Sequence, residues 1–498
     1  MKVRKKNLCH TCRKRKVQCD GKRPACSQCQ FGKRNCDGYP DVLFVPFVSE
    51  TTVVEAKRSR RTPVFKSFLP RPACAPSSHG LTGALLSKDE TALSPAVAGV
   101  CDSSRIRSPL SSDGLTNIQE MVDLTLRTYV PLEELDSLCS PRICGSWVAA
   151  LPELTTNVSR EFAGCLDSAV STLALSIIAH RSQEDLSQVA LTQYENSIRY
   201  LVDSLAEAGD SYKNELVAAV MCLALSETLL PTSPTTWLVH VEGVSNMIQL
   251  STPESFESGV EHTLYIGFRP LLILKAFILR KATFFANDEW VKKPFRHHQA
   301  APLQDLLGLA ARIPAILEKI DNFTHLSPEP SASDIQERIT ELTEAKSHLE
   351  AWHSSFLNSA PAPQHWHRMP DNVVQSGYQL LWYPDLSTAN IFTYFWSFQL
   401  ICLTHIQSLR ERCLDREKAG QGAAEGIKGL RDACLALSIR IYQSMEYVLQ
   451  DEFMLYGISS AGFPLQTACR AFVSDAKGRA ILEALDHTII VRSRIRNV

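Results

Sequence analysis

The sequence predicts a mostly α-helical chain of 498 residues in three parts: a small cysteine-rich module at the N-terminus, a disordered linker and a large all-α domain. Six cysteines crowd into the short stretch from Cys9 to Cys36. Residues 62 to 114 are rich in Pro, Ser, Gly and Ala and show neither helical nor strand periodicity. From about residue 115 apolar residues recur at helical spacing, and alternating strand patterns are nearly absent. The predicted boundaries are 1–47 for the cysteine module, 48–114 for the linker and 115–498 for the helical domain.

The cysteine module is predicted to hold two Zn(II) ions. Its cysteines follow the spacing C-x2-C-x6-C-x6-C-x2-C-x6-C, so the same half-motif occurs twice. Two tetrahedral zinc ions need eight bonds, and six thiolates supply them when two sulfurs bridge both ions. Thiolates also favour zinc over hard cations. The chain opens on basic residues without an apolar signal region, so we expect a reducing compartment and a metal site rather than disulfides. The predicted ligands are Cys9, Cys12, Cys19, Cys26, Cys29 and Cys36.

The charge of the chain is strongly segregated. The formal net charge is −1, yet residues 1 to 36 contain twelve Lys and Arg against one Asp. The first 36 residues therefore carry +11, and the remainder carries −12. A compact basic module on an acidic body indicates a polyanion as the partner of the module alone.

Two short helices are predicted to follow Cys12 and Cys29. Helices this short are marginal in water, so metal binding must supply the folding energy of the module. The first helix carries four successive basic residues, which can contact guanine edges in the major groove or neighbouring phosphates; a solvated basic face or a nuclear import signal is the alternative. These four are Arg13, Lys14, Arg15 and Lys16, and the residues predicted to contact phosphates are Lys22, Arg23, Lys33 and Arg34.

The module resembles the fungal binuclear zinc cluster transcription factors. Every cysteine fits the spacing of that family, and the string CRKRKVQCDGKRPACSQC matches its usual form closely. The resemblance implies that Cys9 and Cys26 bridge the two zinc ions. It implies that Cys12 and Cys19 complete one site, and that Cys29 and Cys36 complete the other.

The resemblance also implies how the protein works. Lys16, with Arg15 beside it, would recognise a CGG-type triplet in the major groove of double-stranded DNA. The protein would then be a nuclear regulator of RNA polymerase II genes, with the transcription machinery or co-regulators as further partners. Related factors often control catabolic or secondary-metabolite genes, so a metabolic gene set is expected.

The predicted linker contains a second basic cluster but no sequence pattern for a dimerising coiled coil. Residues 48 to 114 contain a second basic cluster, KRSRR at 57 to 61, which fits an import signal or phosphate contact. From 37 to 114 there are no sustained a/d heptads, so no coiled coil is predicted next to the cysteine module. The protein would therefore bind DNA as a monomer, or as a homodimer formed through its helical domain.

The helical domain shows its clearest periodicity between residues 184 and 210. Gly209 fits the C-terminal cap of this helix, and Asp210 or Ser211 fits the next N-cap. The following segment, NELVAAVMCLALSETLL, is apolar on most faces and is predicted to be a central buried helix. Its longest apolar run is about half of what a bilayer span needs, so no membrane partner is expected. One face of the helix predicted within residues 184 to 210 carries Leu186, Ala190, Tyr194, Ile198, Leu201 and Leu205. Further helices are predicted near 160–181, 261–286, 302–319, 334–357, 388–415, 423–450 and 461–486.

The segments from 160 to 250 resemble the regulatory domain of fungal transcription factors, and the resemblance fades after about residue 290. It is carried by Tyr194, Glu227 and the string WLVHVEG, which contains Trp237, His240 and Gly243. His240 has no nucleophile or paired carboxylate motif near it, so a helix–helix hydrogen bond is predicted. No nucleophile elbow, Walker A, dinucleotide-binding or zinc-hydrolase motif is present, and no catalytic residue is predicted.

Two alternatives to direct base recognition remain open. The zinc module could serve protein contact, although its basic charge argues against that use. The helical domain could instead sense a small molecule, because the apolar interior of a helical bundle can hold a ligand.

Overall fold

The structure is a computed structural model, and it describes the helical domain almost throughout but only parts of the cysteine module. The described residues are 15, 27–32, 34, 117–131, 146–157, 160–181, 186–233, 235–323, 330–359, 363–369, 379–417, 421–473 and 478. The predicted linker lies outside the described residues, and of the predicted helix after Cys12 only Arg15, in a turn, is described.

The described chain is mostly helical, as the sequence predicts. The helices are α1 (Ser27–Phe31), α2 (Ile118–Tyr129), α3 (Leu151–Thr156), α4 (Ala163–Arg181), α5 (Ser187–Ala208), α6 (Asn214–Leu229), α7 (Thr236–Ile248), α8 (Gly259–Leu279), α9 (Asp288–Lys292), α10 (Pro302–Ala310), α11 (Ile313–Asn322), α12 (Ala332–Ser359), α13 (Leu386–Glu417), α14 (Gln421–Val448) and α15 (Met454–Val473). Short 3-10 segments occupy Ser146–Ala150, Pro253–Phe256, Phe284–Ala286, Lys293–Phe295 and Asp451–Phe453. Two strands, β1 (Trp366–Arg368) and β2 (Leu380–Trp382), form an antiparallel pair.

Helix α6 lies at the centre of the first half of the helical domain. It packs against α4 and α7, and α4 packs in turn against α2 and α5. All ten residues from Leu216 to Leu225 are buried, because this helix is covered on every side. The prediction of a central buried helix is therefore confirmed.

The second half of the domain is built from four long helices. Helix α13 packs against α12, α14 and α15, and α14 also contacts β2. One continuous apolar core runs from Val122 in α2 to Phe472 in α15, and α15 contacts α2. The two halves thus share a core, which accounts for the apolar character of so many of these helices.

Helix α8 joins the two halves, and one glycine permits its closest contact. The helix packs on the 3-10 segment Ser146–Ala150 and on α7, α10 and α11. A Cβ atom at Gly267 would lie only 2.5 Å from the backbone nitrogen of Trp147 and 2.7 Å from its Cβ. Trp147 is fully buried. Only glycine therefore lets α8 approach this segment without displacing its backbone.

The helix boundaries depart from the prediction at several places. The stretch 302–319 is two helices, since Ala311 and Arg312 form a turn and Pro314 lies in the first turn of α11, where its missing N–H costs little. Helix α8 ends at Leu279, because Arg280 adopts a left-handed φ of 52°. Gly209 caps α5 with a φ of 59°, as predicted. The predicted N-cap at Asp210 or Ser211 is wrong.

The N-cap of α6 is instead Lys213, in an extended conformation and without a side-chain cap. Its ammonium group pairs with Glu161 at 2.7 Å. Helix α15 begins at Met454, earlier than the predicted 461. The strands were not predicted, because three residues are too few to show an alternating pattern.

Two helices, α4 and α8, are long and apolar enough to cross a membrane by length and composition alone. Within the fold, 61% of the α4 window and 67% of the α8 window are buried. Their apolar character is thus explained by packing in the core of the helical domain.

Candidate zinc and DNA-binding module and a buried polar cluster

Three of the predicted site residues are described by the structure, all in the cysteine module. Cys29 lies in α1 and is 1% exposed. Arg15 lies in a turn and Arg34 follows α1, and both are exposed. The other predicted ligands and DNA contacts lie outside the described residues: Cys9, Cys12, Cys19, Cys26, Cys36, Arg13, Lys14, Lys16, Lys22, Arg23 and Lys33.

Helix α1 places Cys29 inside the module. The helix begins at Ser27, two residues before Cys29, so the prediction that it would follow this cysteine is wrong in register. The backbone N–H of Arg34 donates to the carbonyl oxygen of Cys29 at 3.0 Å, which turns the chain back at the end of the helix. Among the six module residues whose burial is described, Cys29 is the only buried one.

This burial fits a zinc ligand. A helix of five residues cannot stand alone in water, so a cross-link must hold the segment around Cys29 in place. A thiolate bound to zinc provides such a link, and its sulfur is enclosed by the site. The guanidinium groups of Arg15 and Arg34 remain in solvent, where they are available to an anionic partner.

A buried polar cluster joins α5, α6 and α7 in the helical domain. The Tyr194 hydroxyl lies 2.7 Å from Nε2 of His240, and burial and the nearby Glu227 carboxylate raise the pKa of that hydroxyl. Glu227 is 1% exposed and accepts from the backbone N–H of Thr232 at 2.8 Å and from its hydroxyl at 2.6 Å. The prediction that His240 forms a helix–helix hydrogen bond is confirmed.

The protons of this cluster follow from its partners. Burial lowers the pKa of His240 to about 4, so the ring is neutral near pH 7. Burial raises the pKa of Glu227, and the hydrogen bonds from Thr232 offset part of that rise. A tyrosine hydroxyl has one proton to donate. In its hydrogen bond with Nε2 of His240, the Tyr194 hydroxyl donates if that nitrogen is unprotonated and accepts if the nitrogen carries the hydrogen.

The polar groups of this cluster have partners within the fold. Tyr194 and His240 are hydrogen-bonded to each other, and Glu227 is hydrogen-bonded to Thr232. A small cavity beside Tyr194 and Thr232 has room for about one water molecule. Thr232 was missed by the sequence analysis; its position directly after the helix-ending Pro231 was the available signal.

The basic string KKPFRHH at 292 to 298 is neutralised within the helical domain. Lys292 pairs with Asp288 at 2.8 Å, Lys293 with Glu254 at 2.6 Å, and Arg296 with Glu257 at 2.8 Å. The adjacent histidines His297 and His298 face different partners. His297 contacts Glu257 at 2.9 Å, and the ring of His298 lies 4.9 Å from that of His262.

The cysteines of the helical domain behave as buried thiols. Cys165, Cys222 and Cys402 are buried in the apolar core. Burial raises the pKa of Cys165 to about 11 and that of Cys402 to about 12. Within the described residues no group of three or more His, Cys, Asp or Glu side chains could hold a metal ion.

Comparison with known families identifies both parts of the chain. Residues 8–43 match the model of the fungal Zn(2)-Cys(6) binuclear cluster domain. Residues 164–438 match the model of the fungal specific transcription factor domain, which is more than half of the chain. The chain therefore belongs to the family of fungal specific transcription factors with a binuclear zinc cluster. The second match extends well beyond residue 290, where the sequence analysis expected the resemblance to fade.

Curated relatives agree with this assignment over limited regions. An uncharacterized protein of Emericella nidulans is 25% identical over 150 residues, covering 30% of this chain and 31% of the relative. An uncharacterized transcriptional regulatory protein of Schizosaccharomyces pombe is 42% identical over 80 residues, 16% of this chain and 12% of its own. The aspercryptin biosynthesis cluster-specific transcription regulator of Emericella nidulans is 56% identical over 36 residues, 7% of this chain and 6% of its own. The chain thus spans less than a third of the length of these relatives. No solved structure matches it.

Together these findings place the chain in a family of transcription regulators and match its N-terminal residues to a zinc cluster domain. Its family is one of transcription factors rather than enzymes.

Proposed function

We propose that the protein is a nuclear, sequence-specific regulator of RNA polymerase II genes, and that its cysteine module recognises a CGG-type triplet. Two zinc ions would be held by the six cysteines, with Cys9 and Cys26 as bridges. Lys16 and Arg15 would contact the bases, and the remaining basic residues of the module would contact phosphates. The observation that carries this proposal is the match of residues 8–43 to the binuclear cluster family with all six cysteines in place.

The described residues of the module support the proposal. Cys29 is enclosed, as a ligand must be, while the guanidinium of Arg15 is exposed, as a DNA contact must be in the free protein. The charge of +11 on residues 1 to 36 would attract the phosphate backbone. The domain boundaries at 47 and 114 remain predictions, as does a homodimer formed through the helical domain.

We further propose that the genes controlled are metabolic, and that secondary-metabolite genes are the first to examine. The support is the relative in Emericella nidulans that is named as a regulator of the aspercryptin biosynthesis cluster. That likeness spans 36 residues, 7% of this chain. Genome-wide binding-site profiling would identify the target genes directly.

The base-recognition proposal is tested by gel shift with the full-length chain. The probes are a duplex with one CGG triplet and the same duplex with the triplet scrambled. Lys16→Ala and Arg15→Ala should each lose preference for the CGG duplex, with about 1–3 kcal/mol of discrimination removed. Arg199→Ala is the matched control, since Arg199 is an exposed cation of the helical domain. Unchanged preference in both module variants would exclude direct base contact by these residues.

Zinc stoichiometry is a separate test of the same module. Metal analysis of the purified chain should give two zinc ions per molecule. Cys26→Ser should lose more zinc than Cys36→Ser, because a bridging thiolate serves both ions. One zinc ion per chain would contradict the bridged arrangement and leave the family assignment standing.

A further inference from the structure

We infer that Phe31 is an apolar DNA contact of the cysteine module: its ring packs against deoxyribose and thymine methyl groups while Arg34 pairs with an adjacent phosphate. The inference rests on the proposed DNA-binding function and adds a contact to it. It places a DNA-facing surface at the end of α1, separate from the basic stretch that follows Cys12.

The side chain of Phe31 is exposed at the end of α1. Phe31 is 87% exposed, more than any other exposed large hydrophobic side chain that the structure describes. Single exposed hydrophobic residues are ordinary on protein surfaces, so exposure alone decides nothing. Phe31, however, lies on a five-residue helix, two residues after the buried Cys29. Zinc bound at Cys29 would hold the ring in a fixed position.

The guanidinium of Arg34 lies against the end of α1, on the turn of chain that also carries Phe31. The N–H of Gly32 donates to the carbonyl oxygen of Gln28 at 3.3 Å, and the N–H of Arg34 donates to that of Cys29. A Cβ atom at Gly32 would lie 2.6 Å from Nη1 of Arg34. The guanidinium therefore lies over the backbone of Gly32, directly after Phe31. One turn of chain presents an apolar ring and a cation together.

The charge and apolar character of the surface formed by Phe31 and Arg34 indicate duplex DNA as its partner. None of the described residues of the module is acidic, and residues 1 to 36 carry +11, so the partner is a polyanion. Duplex DNA combines phosphates with apolar deoxyribose and thymine methyl groups at close spacing. Most protein–DNA hydrogen bonds go to phosphate and sugar, and Phe is among the residues that contact thymine methyl groups. An exposed ring beside an exposed guanidinium matches that combination.

The experiment separates the apolar contact from the ionic one by salt dependence. Fluorescence anisotropy of the full-length, zinc-loaded chain is measured at several salt concentrations on two probes, the CGG duplex and its scrambled form. Phe31→Ala should weaken binding to both duplexes about tenfold, because an apolar contact is lost. Its salt slope should stay that of the wild type, because the same number of counterions is released on binding. Arg34→Gln should instead lower the salt slope by about one.

Two further variants make the result decisive. Phe31→Leu keeps an apolar side chain and should fall between the wild type and Phe31→Ala. Gln28→Ala is the matched control, because Gln28 is exposed on the same helix, and it should bind as the wild type does. Zinc content is measured for every variant.

Four outcomes would overturn the inference. Phe31→Ala could bind both duplexes as tightly as Gln28→Ala does while the wild type binds DNA. It could lose zinc, which would make the ring structural. It could also lower transcription of a reporter with unchanged DNA affinity, which would assign the ring to a protein partner. If the wild-type chain binds neither duplex, the proposed function itself fails, and the inference fails with it.

Discussion

Helix α1 of the cysteine module has five residues, whereas helix α6 of the helical domain has sixteen and is covered on all sides. The two helices are stabilised by different means. The first is too short to persist in water and needs a cross-link at Cys29. The second buries ten successive residues from Leu216 to Leu225 and needs only its neighbours. Zinc binding therefore stabilises one region, and apolar burial stabilises the other.

The charges of the two regions differ in the same way. In the helical domain the basic side chains between 292 and 296 each pair with a carboxylate within 3 Å. In the cysteine module Arg15 and Arg34 are exposed, and twelve cations face one Asp in the first 36 residues. The cations of this loop are thus neutralised within the helical domain, whereas Arg15 and Arg34 of the module are exposed.

Metal removal should separate the two regions most sharply. A zinc chelator should abolish DNA binding, because structural zinc contributes roughly 10–16 kcal/mol to small zinc domains near neutral pH. The helical domain should keep its far-UV circular dichroism, since Cys165, Cys222 and Cys402 are buried in an apolar core and its described residues contain no metal-binding group of side chains. Cys29→Ser should reduce zinc content, whereas Cys413→Ser, in the helical domain, should not. A large loss of helix on chelation would show that zinc also supports the helical domain.

Overpacking the core of the helical domain should lower its stability and leave zinc binding by the cysteine module unchanged. Gly267→Ala places a Cβ atom 2.5 Å from the backbone nitrogen of Trp147, which cannot give way without moving its segment. We expect a loss of about 1–3 kcal/mol in unfolding free energy, measured by urea denaturation, with zinc content unchanged. Gly426→Ala is the matched control, because a Cβ there meets nothing within 4 Å. That variant should be neutral or gain up to about 1 kcal/mol. Equal stabilities of the two variants would contradict the close contact.

Acid should weaken the helical domain through histidines that must stay neutral. Nδ1 of His405 lies 2.8 Å from the carbonyl oxygen of Ile401, and its Nε2 lies 2.6 Å from Nη1 of Arg280. Nδ1 therefore carries the proton, and Nε2 accepts from the guanidinium. Burial, followed by the charge of Arg280, lowers the pKa of His405 to about 4.

The sign of the pH dependence follows from that direction. The folded pKa lies below the usual 6.5, so the stabilisation is present above pH 6.5 and is lost as the pH falls towards 4. His405→Gln should flatten the loss of helical stability over this range, measured by urea unfolding at several pH values. His348→Gln is the control, because His348 is exposed, and it should keep the wild-type profile. A wild-type profile in His405→Gln would exclude His405 from the acid response.

The sequence predicts most of the helical domain because periodicity and apolar runs set its packing. The burial of α6 and the capping of α5 by Gly209 follow directly from residue types. The sequence predicted that His240 forms a hydrogen bond to another helix, but it could not identify Tyr194 as the partner, since contact between α5 and α7 depends on the tertiary fold. The close approach at Gly267 had no local signal, because its partner lies more than a hundred residues earlier at Trp147.

For the cysteine module, the sequence contributes more of the assignment than the structure does. Cysteine spacing predicted the zinc ligands, because metal chemistry fixes both the number and the type of ligands. The DNA-binding class was predicted from the basic charge of the module and from the family resemblance. The structure adds the burial of Cys29 and the exposed ring of Phe31. The sequence could not predict that exposure, since an apolar residue in a short helix is equally compatible with a buried position.

The smallest expected effect concerns the basic string at 292–298 of the helical domain. Lys292, Lys293 and Arg296, together with Arg312, pair with four carboxylates, and their charges are balanced locally. These carboxylates are Asp288, Glu289, Glu254 and Glu257. Arg296→Ala should therefore leave DNA affinity within about twofold and the salt slope unchanged, because no phosphate contact is lost. Its stability cost should be only about 0.2–1 kcal/mol, the usual value for an exposed ion pair.

The matched comparison is Arg34→Gln in the cysteine module, measured by anisotropy on the same duplex. That variant should lower the salt slope by about one, since Arg34 is exposed and faces no acidic neighbour among the described residues of the module. A similar fall in slope for Arg296→Ala would show that the helical domain also contacts phosphates. The neutralised loop would then have to exchange its carboxylate partners for DNA, and Glu257→Gln should strengthen binding. An unchanged slope in Glu257→Gln would instead confine the phosphate contacts to the cysteine module.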